Sequence, residues 1–427
     1  MSMKVAFYTL GCKLNQAETE SLAGRFTHAG FQLVHPGDRA DIYIANTCTV
    51  THIADRKSRH WLRLTRRRNP RALIIATGCY AQRNGRELAP LVDLVVDNAE
   101  KEDLLTLTQT FFPKSNEPVD SEARQSHFTD ATTRTRSLIK IQDGCRSHCT
   151  YCIVPEVRPR EYSLPASRIV GEVKQKVALG YREVILTGTK VGSYGDGVTD
   201  LESLVQRILV STGVKRLRLS SLQPSEISPE FLALWQDDRL CRHFHLALQS
   251  GSATVLQRMK RSYSLDQYQR TVTWIKDMMP DAAITTDIIV GFPDESDDEF
   301  EQSYSFCQQA GFANIHVFPY SPRPETAAAV MPEQIKAKVK QARNQRMLEL
   351  SQNSWRKFCE QFLGHTMPVL WEKETSPESG IYAGLTSNYI RVFAHSEKSL
   401  DNEITPVKLA GLRSHEMWGE LTRPPEI

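Results

Sequence analysis

No run of apolar residues in this chain is long enough to cross a bilayer, which excludes a helical membrane span. The stretch Met1–Leu14 lacks a cleavage pattern and reads as a strand rather than a signal peptide. A marked excess of either charge is missing as well. The 53 Lys and Arg against 50 Asp and Glu leave a formal +3, too little for net charge to argue nucleic-acid binding, so local clustering must decide. Nine cysteines without a secretory leader point away from disulfides and towards metal or catalytic use in a reducing compartment. A cytoplasmic location is the expectation. At 427 residues and 40% hydrophobic, the chain has room for roughly two to four domains with real cores.

The chain is organised around Gly144-Cys145-Arg146-Ser147-His148-Cys149-Thr150-Tyr151-Cys152, which follows the strand-like run Leu138–Ile141. Three thiolates spaced CxxxCxxC on one short loop can hold three irons of a 4Fe–4S cluster and leave the fourth open. A structural zinc site wants four protein ligands, and no fourth cysteine or spaced histidine pair follows. His148 is a single imidazole and reads as a neighbour. A zinc loop or plain buried thiols is the competing reading.

Residues 4–112 alternate strand-like segments (Val5–Leu10, Ile42–Thr47, Leu73–Thr77, Leu94–Val96) with helical ones such as Glu18–His28. That rhythm predicts a small doubly wound parallel sheet. Cys12, Cys48 and Cys79 each follow one of the first three strands. Ligands gather at the carboxyl ends of such strands, so these thiols can converge on a second metal site. Between two of them, Arg56–Arg71 carries eight Lys/Arg and no acid, with Trp61 interleaved. On a helix Arg56, His60, Arg63 and Arg67 share one face, either a solvated face or a phosphate-contacting one. Residues 115–136 are polar and read as a linker.

Residues 137–363 contain about six strand–helix units, with strands at Leu138–Ile141, Glu183–Thr187, Arg216–Ser220, His243–Leu248, Ala283–Val290 and Ile315–Pro319. Six units predict an open partial barrel, its chemistry at the ends where Thr187-Gly188-Thr189-Lys190, Gln249-Ser250-Gly251 and Asp287 fall. Glu333–Leu363 should add one or two helices outside it. Cys241, Cys307 and Cys359 read as buried free thiols. Residues 364–427 change to five short strand-like runs, which suggest a small OB-like barrel.

Taken together, the six cysteines in order resemble the radical S-adenosylmethionine (SAM) methylthiotransferase family over nearly the whole chain. The C-terminal residues Gly364, Val369-Leu370, Glu372, Gly384, Thr386, Asn388-Tyr389 and Val392 are similar to its TRAM domain. The blocks Leu186–Gly195 and His316–Ser321 look like the branch acting on threonylcarbamoyladenosine in tRNA. The chain departs from the family's usual residues at Asp294, Glu156-Val157, Pro159 and Gln223.

The resemblance implies an α/β chain in three parts: an N-terminal doubly wound domain (1–114), an open partial radical SAM barrel (137–363) and the TRAM barrel (364–427). It implies that Cys145, Cys149 and Cys152 hold the SAM-binding 4Fe–4S cluster, and Cys12, Cys48 and Cys79 an auxiliary one that carries sulfur. A 5′-deoxyadenosyl radical would take hydrogen from C2 of the base, a carbon with no acidic proton, and a methylthio group would replace it. Thr189, Gln249, Ser250 and Asp287 are candidate SAM contacts. Lys190, Arg158 and Arg160 are candidates for binding a threonyl carboxylate, and Arg63, Arg66 and Arg67 for phosphates of the tRNA anticodon stem-loop. A monomer served by a flavodoxin or ferredoxin is expected. The same reaction on isopentenyladenosine, methylthiolation of a ribosomal-protein aspartate, and a non-catalytic iron–sulfur RNA-binding module are the alternatives.

Overall fold

The computed structural model describes residues 2–112, 135–413 and 416–422. The expected linker lies outside the described residues except for 135 and 136, and Arg136 already opens a strand.

A five-stranded parallel sheet comes first, in spatial order Gln32–Val34, Lys4–Thr9, Ile42–Thr47, Leu73–Gly78, Leu94–Val95. Ile42–Thr47 and Leu73–Gly78 are buried at every position, as central strands covered on both faces must be. Val5, Ile42 and Ile44 pack with Leu22 and Phe26 of helix Lys13–His28. On the other face Ala6, Tyr43 and Ala45 pack with Leu62 of helix His52–Arg68. The sheet is therefore doubly wound, as expected. The edge strand Gln32–Val34 went unforeseen because three residues are too few for a period-2 pattern to register.

The strands that follow curve into an open partial barrel. Arg136–Lys140, Glu183–Thr187 and Arg216–Leu219 pair in parallel, and so do Ser221–Leu222, His243–Leu246, Ala283–Val290 and Asn314–Pro319. A break at Ser220 separates the two groups, and backbone bonds from Leu217 N to Arg239 O and from Cys241 N to Leu217 O bridge it. Both exposed edges are covered, which removes two rows of unpaired backbone groups. Helix Lys13–His28 covers the first strand, with Ala17 packed between Leu138 and Ile185. The single helix Ala337–Glu360 covers the last, where Ser351 Oγ accepts from Ile315 N and donates to its carbonyl.

A closed barrel of five strands, Thr366–Glu374, Ile381–Thr386, Arg391–His395, Ile404–Arg413 and Glu416–Leu421, packs against the amino-terminal end of the larger barrel. Arg216 donates to the carbonyls of Leu385 and Pro368, both at 2.7 Å. Arg218 donates to Ser387 O and, at 2.8 Å, to Glu183. Asn388 reaches back to Asp281 O.

The Arg218–Glu183 pair has no exposed side-chain surface on either partner. Breaking a buried pair from one side strands a charge, whereas replacing both members removes that cost. Arg218→Leu should lower stability by about 3–5 kcal/mol, and adding Glu183→Leu should restore most of it, as read by thermal unfolding. A double variant no more stable than the single one would contradict this view of the joint.

Candidate active site

Cys12 follows strand Lys4–Thr9, Cys48 follows Ile42–Thr47, and Cys79 opens the helix after Leu73–Gly78. The first two straddle the point where the strand order reverses, the place where such sheets bind ligands. A Cβ on Gly11 would lie 2.9 Å from Cys48 Sγ, so only glycine lets the Cys12 turn approach that closely. Asn15 Nδ2 ties the two turns by donating to Leu10 O and Thr47 O.

The CxxxCxxC loop is held as firmly. Gly144 has φ +76°, and a Cβ there would meet Arg160 O at 2.1 Å. Thr150 N donates to Met259 O, its hydroxyl donates to Arg258 O, and its carbonyl accepts from Ala328 N. Arg261 Nη1 lies 3.2 Å from Cys149 Sγ.

Neither trio of sulfurs closes as tightly as one ion demands. Among the described residues, only His245, Asp287 and His316 gather ligand atoms within 4.8 Å. Sulfurs around a single tetrahedral zinc would stand about 3.8 Å apart. Three sulfurs set wider suit a cluster with one open iron. Burial pushes the Cys48 thiol up to about 12, with Cys79 and Cys12 adding to the rise. It does the same to Cys152, helped by Cys149 and Cys145. Thiolates are therefore costly at both places until a metal binds them.

The two trios share a joint. Arg158, buried just past the loop, donates to Cys79 Sγ at 3.4 Å, to Asn15 Oδ1 at 3.0 Å, to both oxygens of Glu18 and to both of Asp143. Lys101 and Lys140 complete the network on Glu18, and Lys140 also pairs with Asp143. Although burial works the other way, Lys101 and Arg158 hold the Glu18 carboxyl well below the usual carboxylate range. A second tie runs from Arg323 to Thr49 and Asp55, beside Cys48.

A cavity of about 580 Å³ runs through the barrel interior. Cys12, Lys13, Thr187, Gly188 and Ser220 line one part of it, and Arg136, His243, Trp355 and Tyr389 another. Through Cys12, the N-terminal trio borders the barrel interior.

Several expected site residues sit elsewhere. Arg158, Lys190 and Arg160 do not line this cavity, but Arg158 and Arg160 line a separate one of about 780 Å³ with Glu18, Lys101 and Asp143. Arg158 is consumed by the joint, Lys190 pairs with Glu226 at 3.6 Å, and Arg160 lies over the Tyr162 ring. Ser250 is fully buried, its hydroxyl shared with Ser303 and accepting from Ser252 N, so it is not presented to a ligand. Thr189 lies 3.4 Å from Asp143. Gln249 holds φ +71° and bonds through its backbone to Asp287 O and Ile289 N. Asp287 faces His245 at 3.2 Å.

On helix His52–Arg68, Arg56, His60, Arg63 and Arg67 are exposed along one face, as the spacing predicts. Arg66 is not among them, being paired with Asp93 at 2.7 Å, and Trp61 stacks on Tyr8 instead of facing out. Asn15, Glu18, Arg261 and Arg323 went unnoticed in the sequence. Only the nearness of Asn15 and Glu18 to Cys12 could have marked them.

Residues 139–307 match the radical SAM superfamily, and residues 4–97 match uncharacterized protein family UPF0004. The chain is 36% identical to the threonylcarbamoyladenosine tRNA methylthiotransferase MtaB of Bacillus subtilis, covering 95% of this chain and 93% of the relative. It is 37% identical to the MtaB of Aquifex aeolicus over 91% and 96%. It is 32% identical to a tRNA-2-methylthio-N(6)-dimethylallyladenosine synthase of Syntrophotalea carbinolica over 97% and 99%. Its fold is similar to that of the radical SAM methyltransferase TsrM of Kitasatospora setae, with a TM-score of 0.56 at 13% identity over 90% and 81% of the two chains.

Two separate trios predict two separately loaded clusters. Reconstituted protein should hold roughly eight irons, and a Cys145/Cys149/Cys152 triple alanine variant about half of them. Complete loss of iron from that variant would refute independent sites. Six cysteines in two converging trios, a doubly wound sheet joined to a partial barrel, and likeness over nearly the full length to tRNA methylthiotransferases lead to one assignment: the chain belongs to the radical SAM methylthiotransferase family.

Proposed function

We propose that this protein adds a methylthio group to C2 of N6-threonylcarbamoyladenosine at position 37 of tRNA, beside the anticodon. One observation carries the reading: Cys12 of the auxiliary trio lines the barrel cavity, while Arg158 ties that trio to the CxxxCxxC loop. Sulfur carried by the N-terminal trio would thereby reach the barrel interior beside the segment that leads into the CxxxCxxC loop. The name and full-length likeness of the MtaB relatives support the threonylcarbamoyl substrate.

When bound, the clusters and SAM supply the radical chemistry and the sulfur. The chain's own residues position and exclude. A cavity of about 580 Å³ has the size of a nucleoside site. A base held there has left its stack, as chemistry on a base requires. Tyr389, on a loop anchored by Asn388 to Asp281 O, lines the chamber on the side of the small barrel. The exposed cations Arg56, Arg63 and Arg67 are available to the phosphates of the anticodon stem. Gln249, Thr189 and Asp287 remain candidates for SAM binding at the strand ends. The enzyme would work in the cytoplasm as a monomer, with a ferredoxin or flavodoxin supplying electrons.

Mass spectrometry of tRNA nucleosides from a strain lacking the gene tests the reading. The methylthiolated threonylcarbamoyladenosine should vanish and return with the wild-type gene, and its persistence in the deletion strain would overturn the proposal. Cys48→Ala should leave SAM cleavage by the reduced protein intact yet fail to restore the nucleoside. Restoration by that variant would remove the auxiliary role. Charge reversal at Arg63 and Arg67 should weaken tRNA binding and lower its salt slope by about one unit for each phosphate no longer neutralised. An unchanged salt series would make this a merely solvated face.

A further inference from the structure

Lys13 follows a cluster cysteine, yet it turns its side chain into the barrel cavity. Its ammonium lies 5.9 Å from the centre of the Tyr389 ring. No carboxylate of the described residues comes within salt-bridge distance of it. The neighbouring cations are differently placed. Arg218, 4.7 Å from the same ring, is satisfied by Glu183 and Ser387 O. Arg136 pairs with Glu372 at 3.1 Å and extends Nη1 to 3.5 Å from the Tyr389 hydroxyl. Among the residues that line the cavity, Glu372 is the carboxylate beside Lys13, Arg136 and Arg391, and the buried Glu183, paired with Arg218, adds its field to Lys13 and Arg136.

Tyr389 is held there at a cost. Its φ is +72°, a left-handed conformation uncommon for a bulky side chain. The surrounding loop enforces it: Tyr389 N donates to Thr386 O, Thr386 N donates to Ile390 O, and Asn388 is anchored on Asp281 O. The ring also stacks on His243 at 4.5 Å. A phenol carried on a strained loop therefore sits beside an ammonium and a guanidinium inside the substrate chamber.

We propose that Lys13, Arg136 and Tyr389 form a carboxylate subsite, which receives the acidic end of the substituent on N6 of the base. A half-buried ammonium without a salt-bridge partner is costly, and an incoming carboxylate lowers that cost. The phenol hydroxyl and the guanidinium supply further donors to its oxygens. An apolar tail such as isopentenyl would leave the ammonium desolvated and unpaired, so the subsite rejects it. This inference rests on the threonylcarbamoyl reading above and names the residues that would make that choice.

The test compares binding of anticodon stem-loop RNA carrying threonylcarbamoyladenosine with binding of the same RNA carrying its methyl ester, using iron-loaded protein. The ester should bind about ten- to a hundred-fold more weakly to the unmutated protein. In Lys13→Met the difference between acid and ester should shrink towards none, and Lys13→Arg should retain it. Lys13 adjoins Cys12 and Arg136 opens the strand that leads to Cys145, so iron content is measured alongside in both cases, and Arg136→Gln should also narrow the difference. Equal binding of acid and ester by unmutated protein that still methylthiolates the acid-bearing RNA would overturn the subsite and leave the function standing. Methylthiolation of isopentenyl-bearing RNA alone would overturn both.

Discussion

The buried guanidinium of Arg158 is the constraint on which the rest of this structure depends. It faces two carboxylates, an amide oxygen and a cysteine sulfur at once. Glu18 and Asn15 come from the first helix, Cys79 from the third strand–helix turn of the sheet, and Asp143 from the residue before Gly144. Such a network is stable only when complete, because each missing partner strands a charge away from water. It therefore behaves as an all-or-none latch. Closed, it fixes the auxiliary thiols against the CxxxCxxC loop, and Ile153 and Val157 pack on Cys79 to exclude water from the seam.

Arginines recur beside the cysteines. Arg261 donates towards Cys149, and Arg323 grips Thr49, next in sequence to Cys48. Cysteine-ligated clusters carry net negative charge, and cationic donors near the sulfurs are among the main means by which a protein tunes them. Those of Arg158 and Arg323 also cross between the sheet and the barrel, so that holding the parts together and placing cations beside the cysteines are one arrangement. At the opposite end of the barrel, Arg216 and Arg218 reach backbone carbonyls of the small barrel and seat Tyr389 under the chamber.

Much of this was legible in the chain. Strands such as Ile42–Thr47, Glu183–Thr187 and Ala283–Val290 are runs rich in apolar and β-branched residues, and the structure places them with those very bounds. The cysteines could be grouped because topology brings the ends of parallel strands together. What could not be read was the destination of cations. Arg158 and Lys190 follow the cysteine loop or a strand end as substrate-binding residues would, but their partners, Glu18 and Glu226, are far away in sequence. Lys13, hidden beside Cys12, faces the cavity because its helix begins at the edge of the barrel. Periodicity fixes which face of an element a residue occupies; it does not reveal which carboxylate has already neutralised it.

The latch is tested most directly by hydrogen exchange of the Arg158→Met protein, mapped along the chain. Faster exchange is expected on both sides of the seam: around Asn15–Glu18 and Cys79 in the sheet, and around Asp143–Cys152 in the barrel. Exchange that quickens only next to residue 158, with both cysteine sites as protected as before, would contradict a latch.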